Sequence, residues 1–197
     1  MIALLGSPAC GQPGGDDGEV TSAMIRAHAK ELAGQGFGEQ AAMLEDGMIT
    51  ADEHQEAFDL LRRCLEDGGE GIAAGPYVNP LDGLTYEFLI DPGENIEDPI
   101  AQGELEIACE ERFFTTLNYD YGRSHEPRMD PVLHGALTEC LAEKGFETSG
   151  EEKTVKDFAG GAAAEAGSER DLVVTDCIHS EVARLYPDRE VVGGFGW

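Results

Sequence analysis

Positive charge is scarce in this sequence. Thirteen Lys and Arg stand against 40 Asp and Glu, a formal charge of −27 at pH 7. Such a surface repels phosphate backbones and anionic lipid, which argues against direct nucleic-acid binding. It attracts cations or basic partners, and it equally serves as a solvated coat that resists aggregation. Long apolar runs are missing as well. No stretch approaches the roughly 20 apolar residues that span a bilayer. Motifs with a built-in chemical mechanism are also absent: there is no GxSxG, no HExxH and no phosphate-binding glycine loop. The cysteines never occur as CxxC, and no HxxxH occurs, so neither zinc nor any other cofactor is indicated.

What is present is a cysteine pattern used twice. CLEDGG at 64–69 and CLAEKGF at 140–146 each carry Cys-Leu, three residues and a Gly. Each closes an amphipathic run, and each is followed by a lone cysteine in another such run, at Cys109 and Cys177. Leu105 and Val173 lie four residues before these second cysteines, and Phe114 and Val182 lie five after. Four cysteines allow three pairings. The half-repeat favours Cys64–Cys109 and Cys140–Cys177, and disulfides imply an oxidising compartment. The alternative is four buried thiols in a cytosolic protein.

The fifth cysteine is Cys10. It ends the apolar stretch Met1 to Ala9 and precedes a Gly/Pro/Asp tether, GQPGGDDG. This reads as the tail of a lipoprotein signal peptide with Cys10 as the lipidated residue. No basic segment precedes it, and Ser7-Pro8 depart from the usual lipobox. A start lying further upstream accounts for the first departure. The alternative is an unstructured N-terminus with a spare thiol.

The periodicity predicts a mainly α fold with a small β-hairpin, built as two related helical halves with one disulfide each. Residues 1–18 are signal remnant and linker, 19–122 the first half and 123–197 the second, with RSHEPR at 123–128 as connector. A helix is expected over 19–34, with Val20, Met24, Ala27 and Leu32 inward and Gly34 as its stop. A short one follows at 39–46. Thr50-Ala-Asp-Glu53 is a capping box that opens a helix over 51–67, with the stripe Ala57, Phe58, Leu61, Cys64 and Leu65. A hairpin is expected from 73–79 and 84–90 around the turn-rich NPLDG, with Leu84, Tyr86, Phe88 and Ile90 on one face. One helix is predicted over 103–118, with Leu105, Ala108, Cys109, Phe113 and Leu117 inward. Asp130-Pro131 starts another as N-cap and first residue. Its stripe is Val132, Leu133, Ala136, Leu137, Cys140 and Leu141. Residues 150–170, with GGAAAEAGS, read as a loop. A last helix over 170–186 carries Val173, Val174, Cys177, Val182 and Leu185.

Few constellations offer chemistry. Asp46 to Glu53 resembles the second half of an EF-hand loop. The positions that should open it are Ala42 and Leu44, too few oxygens for Ca²⁺, and the capping box explains the same residues. Cys177-Ile-His179 brings a thiol near an imidazole in sequence, but the two point to different helix faces. Tyr77, Tyr86, Phe88, Tyr119 and Tyr121 either line a ligand groove or cover a small core.

The run DGMITADEHQEAFDLLRRCLEDGG, a YEF strand and a second helical cysteine together resemble a group of actinobacterial secreted proteins and lipoproteins. These share a DG-x-[IV]-T-x-x-E start, an Ala-rich helix ending in CL, a Gly and a later Cys helix. The similarity covers residues 46–119, with an echo over 130–186. It implies export and disulfides. It implies no catalytic residues, since no activity is established for that group. The expectation is therefore an extracytoplasmic acidic lipoprotein or secreted protein. It would act as a non-enzymatic binding or accessory module for an unidentified protein or cell-wall partner, touching membrane only through Cys10. A secreted enzyme of unrecognised class is the alternative, and a polar pocket converging His or carboxylates would favour it.

Overall fold

The structure, a computed structural model, describes residues 20–91, 99–161, 166–187 and 189. It is mainly helical, with eight helices and one two-stranded antiparallel hairpin among the described residues. In order these are α1 (Ser22–Gln35), α2 (Gly38–Met43), α3 (Ala51–Asp67), β1 (Gly71–Val78), β2 (Tyr86–Asp91), α4 (Pro99–Phe113), α5 (Thr115–Ser124), α6 (Pro131–Glu143), α7 (Val155–Ala159) and α8 (Glu169–Leu185). Two apolar cores form. One gathers α1 to α5 and the inward face of β2, and the other gathers α6, α7 and α8.

A disulfide closes each core. Cys64 of α3 joins Cys109 of α4 with Cα atoms 5.8 Å apart, and Cys140 of α6 joins Cys177 of α8 at 5.9 Å. Cys109 and Cys177 are fully buried. The two CLxxxG segments end their helices alike. Gly69 and Gly145 sit in the left-handed region, at φ 90° and 84°. The next residue donates back to the leucine carbonyl in both, Glu70 N to Leu65 O and Phe146 N to Leu141 O, each at 2.9 Å. The glycine itself donates to the residue after that leucine, at 3.1 and 3.0 Å. This is a Schellman cap, whose left-handed position favours residues without a Cβ. It fixes why the sequence needs Gly at that distance from both cysteines.

Several expectations need correction. Thr21 caps α1 by accepting from Met24 N, and Gly36, not Gly34, ends it in a left-handed turn. That phase buries Ile25, Ala29 and Leu32, while Met24 and Ala27 face outward. On α6 the Asp130 cap accepts from Val132 N and Leu133 N as expected. The buried line is Leu133, Leu137 and Leu141, and Val132 lies outside. The 150–170 segment is not a loop throughout. Thr154 and Asp157 form a second capping box, which opens α7 and drives Val155 and Phe158 into the second core. The strand expected to begin at Leu84 begins at Tyr86. The Asp82 carboxylate accepts from Leu84 N, Thr85 N and the Thr85 hydroxyl, holding those residues in the turn.

The largest departure is at 103–118, where one predicted helix is two. Phe114 breaks it at φ −134°, ψ −46°. The break buries both Phe113 and Phe114, and the Phe114 ring meets Phe58 and Phe88 edge-on. Ala108, expected inward, is exposed. A broken helix leaves carbonyls and amides without partners. Gln40 of α2, fully buried, fills that gap. Its Nε2 donates to Glu111 O at 3.0 Å, and its Oε1 accepts from Leu117 N at 2.9 Å.

The cores interlock at the hairpin turn. Leu81 leaves the first half and packs into the second core. Arg128 N donates to Asp82 O at 2.7 Å and Asp130 N to Pro80 O at 2.8 Å. Gly83 passes so close that a Cβ there would stand 2.4 Å from Arg128 O.

Gln40→Ala should lower unfolding free energy by about 3 kcal/mol in urea titration, because it orphans a buried amide and a buried carbonyl together. A loss below about 1 kcal/mol would show that water replaces the side chain.

Candidate functional site

Two histidines are built into the first core in different ways. The first is His54. Thr50 Oγ1 accepts from Glu53 N at 3.2 Å, and Glu53 Oε2 accepts from Thr50 N at 2.8 Å. This capping box fixes the first turn of α3 and turns His54 inward, where it is almost fully buried. Its ring is stacked between Tyr86 and Tyr121, each with centroids 4.2 Å away, and Tyr121 meets His125 at 4.2 Å. Asn118 Oδ1 accepts from Tyr86 N at 3.0 Å and lies 2.7 Å from His54 Nε2. An oxygen that accepts from one donor fixes the amide's orientation, so Nε2–H is the donor to it. Burial holds the imidazole below its ordinary pKa; the Asn118 hydrogen bond and the charge of Asp82 oppose this. His54 is thus a neutral member of the core. The nearby EF-hand-like residues serve the backbone. Asp46 Oδ1 accepts from Met48 N at 2.9 Å, and the Asp46 carbonyl accepts from Arg26 at 2.7 Å.

The second is His28 of α1, half open to solvent. Its Nδ1 stands 2.6 Å from Oδ2 of Asp120 on α5, whose side chain is completely buried. With the carboxylate as acceptor, Nδ1–H is the donor of this bond. Burial pushes the Asp120 carboxyl up, against the pull of the His28 hydrogen bond and of the charges on His28 and Arg123. Its Oδ1 has no partner among the described residues. His28 lines a cleft of about 340 Å³ between α1 and α5, together with Glu31, Leu32, Thr115, Thr116 and Tyr119. Arg123 covers one face of the half-exposed Tyr119 ring at 5.2 Å and hydrogen-bonds its hydroxyl.

Sequence reasoning did not single out this pair. The residues are 92 positions apart. One signal was available: Asp120 lies three residues after Leu117, on the buried face of α5, where a carboxylate needs a partner.

The other candidates disperse. Tyr86, Phe88 and Tyr121 pack against the first core, Tyr77 lies against Arg189, and Tyr119 stands at the cleft, so the aromatic group forms no single groove. Cys177 is spent in its disulfide and His179 is exposed, which removes a thiol–imidazole pair. Among the described residues no three His, Cys, Asp or Glu side chains converge as a metal site. Cys10, the expected lipidation residue, lies outside the described residues. No protein-family model, curated protein or solved structure matches the chain.

The depressed pKa of His54 has a sign. The unfolded chain binds its proton near pH 6.5 and the folded chain only lower, so this residue's contribution to stability is intact above pH 6.5 and is lost as pH falls through the folded value. His54→Phe keeps a stacked ring and removes the titration. Between pH 7 and 5 its melting temperature should fall less than that of wild type, read by circular dichroism. Parallel pH curves would contradict the assignment.

Proposed function

We propose that this chain is an extracytoplasmic acidic lipoprotein or secreted protein, working as a non-enzymatic binding or accessory module. The observation that carries the reading is the pair of cystines, one inside each core. Disulfides persist in oxidising compartments and are rare where thiols are kept reduced. Among the described residues no helix is long and apolar enough to cross a membrane, so membrane attachment would fall to a lipid at Cys10. One acyl chain gives marginal attachment, whereas two or more give stable anchoring, at about 0.8 kcal/mol per buried methylene. The Gly/Pro/Asp tether would hold the acidic domain away from anionic headgroups. The resemblance to actinobacterial secreted proteins points the same way.

The His28–Asp120 pair favours the second reading, a secreted enzyme, because a carboxylate-oriented imidazole is an element of general-base catalysis. What it lacks is a group to act on. Among the described residues no hydroxyl or thiol hydrogen-bonds the second ring nitrogen, and the nucleophile–base–orienter relay is incomplete. The binding reading therefore comes first.

Expression from the natural upstream region in an actinobacterial host, followed by detergent partition, tests the proposal. Wild type should enter the detergent phase, and Cys10→Ser should be released or stay unprocessed. Oxidised protein in the medium would remove the lipid and keep export. Soluble cytoplasmic protein with free thiols would overturn both.

A further inference from the structure

A two-stranded sheet has two outer edges, and this hairpin treats them differently. Asn79 N donates to Thr85 O at 2.8 Å, Tyr77 pairs with Glu87, and Gly71 pairs with Asp91. Backbone groups alternate in direction along an antiparallel strand. Glu87, Leu89 and Asp91 therefore turn theirs toward β1, and Tyr86, Phe88 and Ile90 turn theirs outward. Tyr86 N agrees with this direction, since it donates to Asn118 Oδ1 at 3.0 Å. Among the described residues the outward N–H and C=O groups of Phe88 and Ile90 have no partner.

The outer edge of β1 is blunted. Pro76 has no N–H, and the register shifts between Ile72 and Ala74 and again between Ala74 and Tyr77, with both extra residues in β1. Arg189 Nη1 takes up Val78 O at 2.9 Å. Proline, bulges and covered groups keep a sheet edge from pairing with another chain. β2 carries none of these devices between Phe88 and Ile90. The side chains of those two residues pack on the first core and stay half-buried, while Glu87 and Leu89 lie on the opposite face.

Either a second copy or a different protein can supply the missing strand, and charge chooses between them. Two copies would bring −27 against −27. The two-fold register that pairs Phe88 of one copy with Ile90 of the other sets Glu87 opposite Asp91, and like charges opposite each other destabilise a sheet. A basic strand meets attraction instead. Arg189 is the opposing feature, with its Nη1 3.9 Å from Glu87 Oε2. Its hydrogen bond goes to Val78 O, and the Glu87 carboxylate accepts none among the described residues.

We propose that the outer edge of β2 takes an extended segment of a basic partner protein as a third, antiparallel strand, with apolar side chains beside Phe88 and Ile90 and cationic ones beside Glu87. In strand addition the main-chain bonds give affinity and the alternate side chains choose the sequence. This assignment rests on reading the chain as a binding module and names the form and charge of its ligand.

The probe is the peptide acetyl-Val-Lys-Val-Lys-Val-Lys-Val-amide, titrated into the full chain at physiological salt and followed by amide hydrogen exchange in NMR. Exchange at Phe88 and Ile90 should be fast in the free chain and slow by about tenfold or more at saturation. Residues whose side chains share the face of Phe88 and Ile90 are those whose N–H points at β2. N-methylation of the valines should therefore abolish the protection, and N-methylation of the lysines should keep it. The same peptide with Glu for Lys should leave both amides as they are in the free chain. Glu87→Gln should weaken binding by about threefold. The assignment is overturned by protection that survives N-methylation of the valines, by equal response to the glutamate peptide, or by unchanged exchange at saturating peptide. Protection without any peptide overturns it too, and gives the edge to a second copy if it rises with protein concentration. Export is read separately by fractionation. An exported, oxidised protein that ignores the peptide loses the strand and keeps the module; a reduced cytoplasmic protein that binds it does the reverse.

Discussion

Covalent linkage between two helices is the constraint on which both halves of this molecule rest. α3 with α4, and α6 with α8, are separated by 45 and 37 residues at their cysteines. In chain-entropy terms, closing loops of that size removes about 4 kcal/mol each from the unfolded side. That is a large share of a typical domain's stability. It works against two destabilising features: mutual repulsion of 27 uncompensated negative charges, and 26 glycines that enlarge the entropy of the unfolded chain. The shared Schellman caps engage the carbonyls of Leu65 and Leu141, each the residue after a bridged cysteine and both fully buried. Sequence, cap, buried leucine and bridge form one repeated unit.

Some of the few cations pair within their own helix, and others, such as Lys144 with Asp176 and Lys153 with Glu126, pair across elements. Arg62 pairs with Asp59, Arg63 with Glu56 and Arg184 with Glu181, all at the surface. Exposed pairs of this kind contribute about 0–1 kcal/mol each. Their consequence is chiefly electrostatic: they leave the outward field negative. Inside, the chain avoids charge where it can. His54 is kept neutral by burial between two tyrosines. Asp120, the carboxylate buried on α5, is held against the one imidazole that reaches it.

How much of this could be read from the sequence depends on how far apart the interacting residues lie. α3 could be read nearly to the residue, because its capping box, its apolar stripe and its closing glycines are all local. The cysteine pairing was legible because the pattern occurs twice. The break at Phe114 was not, since the group that stabilises it, Gln40, lies 71 residues from Glu111 and 77 from Leu117, the two residues it bonds. α7 was missed because the surrounding Gly and Ala masked a four-residue cap signal at Thr154 and Asp157. The phase of α1 was misread because Met24 and Ala27 fit a helical stripe as well as Ile25 and Ala29 do, and only tertiary contact chooses between them. The His28–Asp120 pair joins two helices that no local pattern relates.

The central claim is that each core is tied by its own disulfide in the protein as the cell makes it. Non-reducing peptide mapping of the natively produced chain, with free thiols alkylated at lysis, tests this directly. The account predicts Cys64 linked to Cys109 and Cys140 linked to Cys177, with neither pair open to alkylation. A Cys64–Cys140 link, or four alkylated thiols, would contradict it.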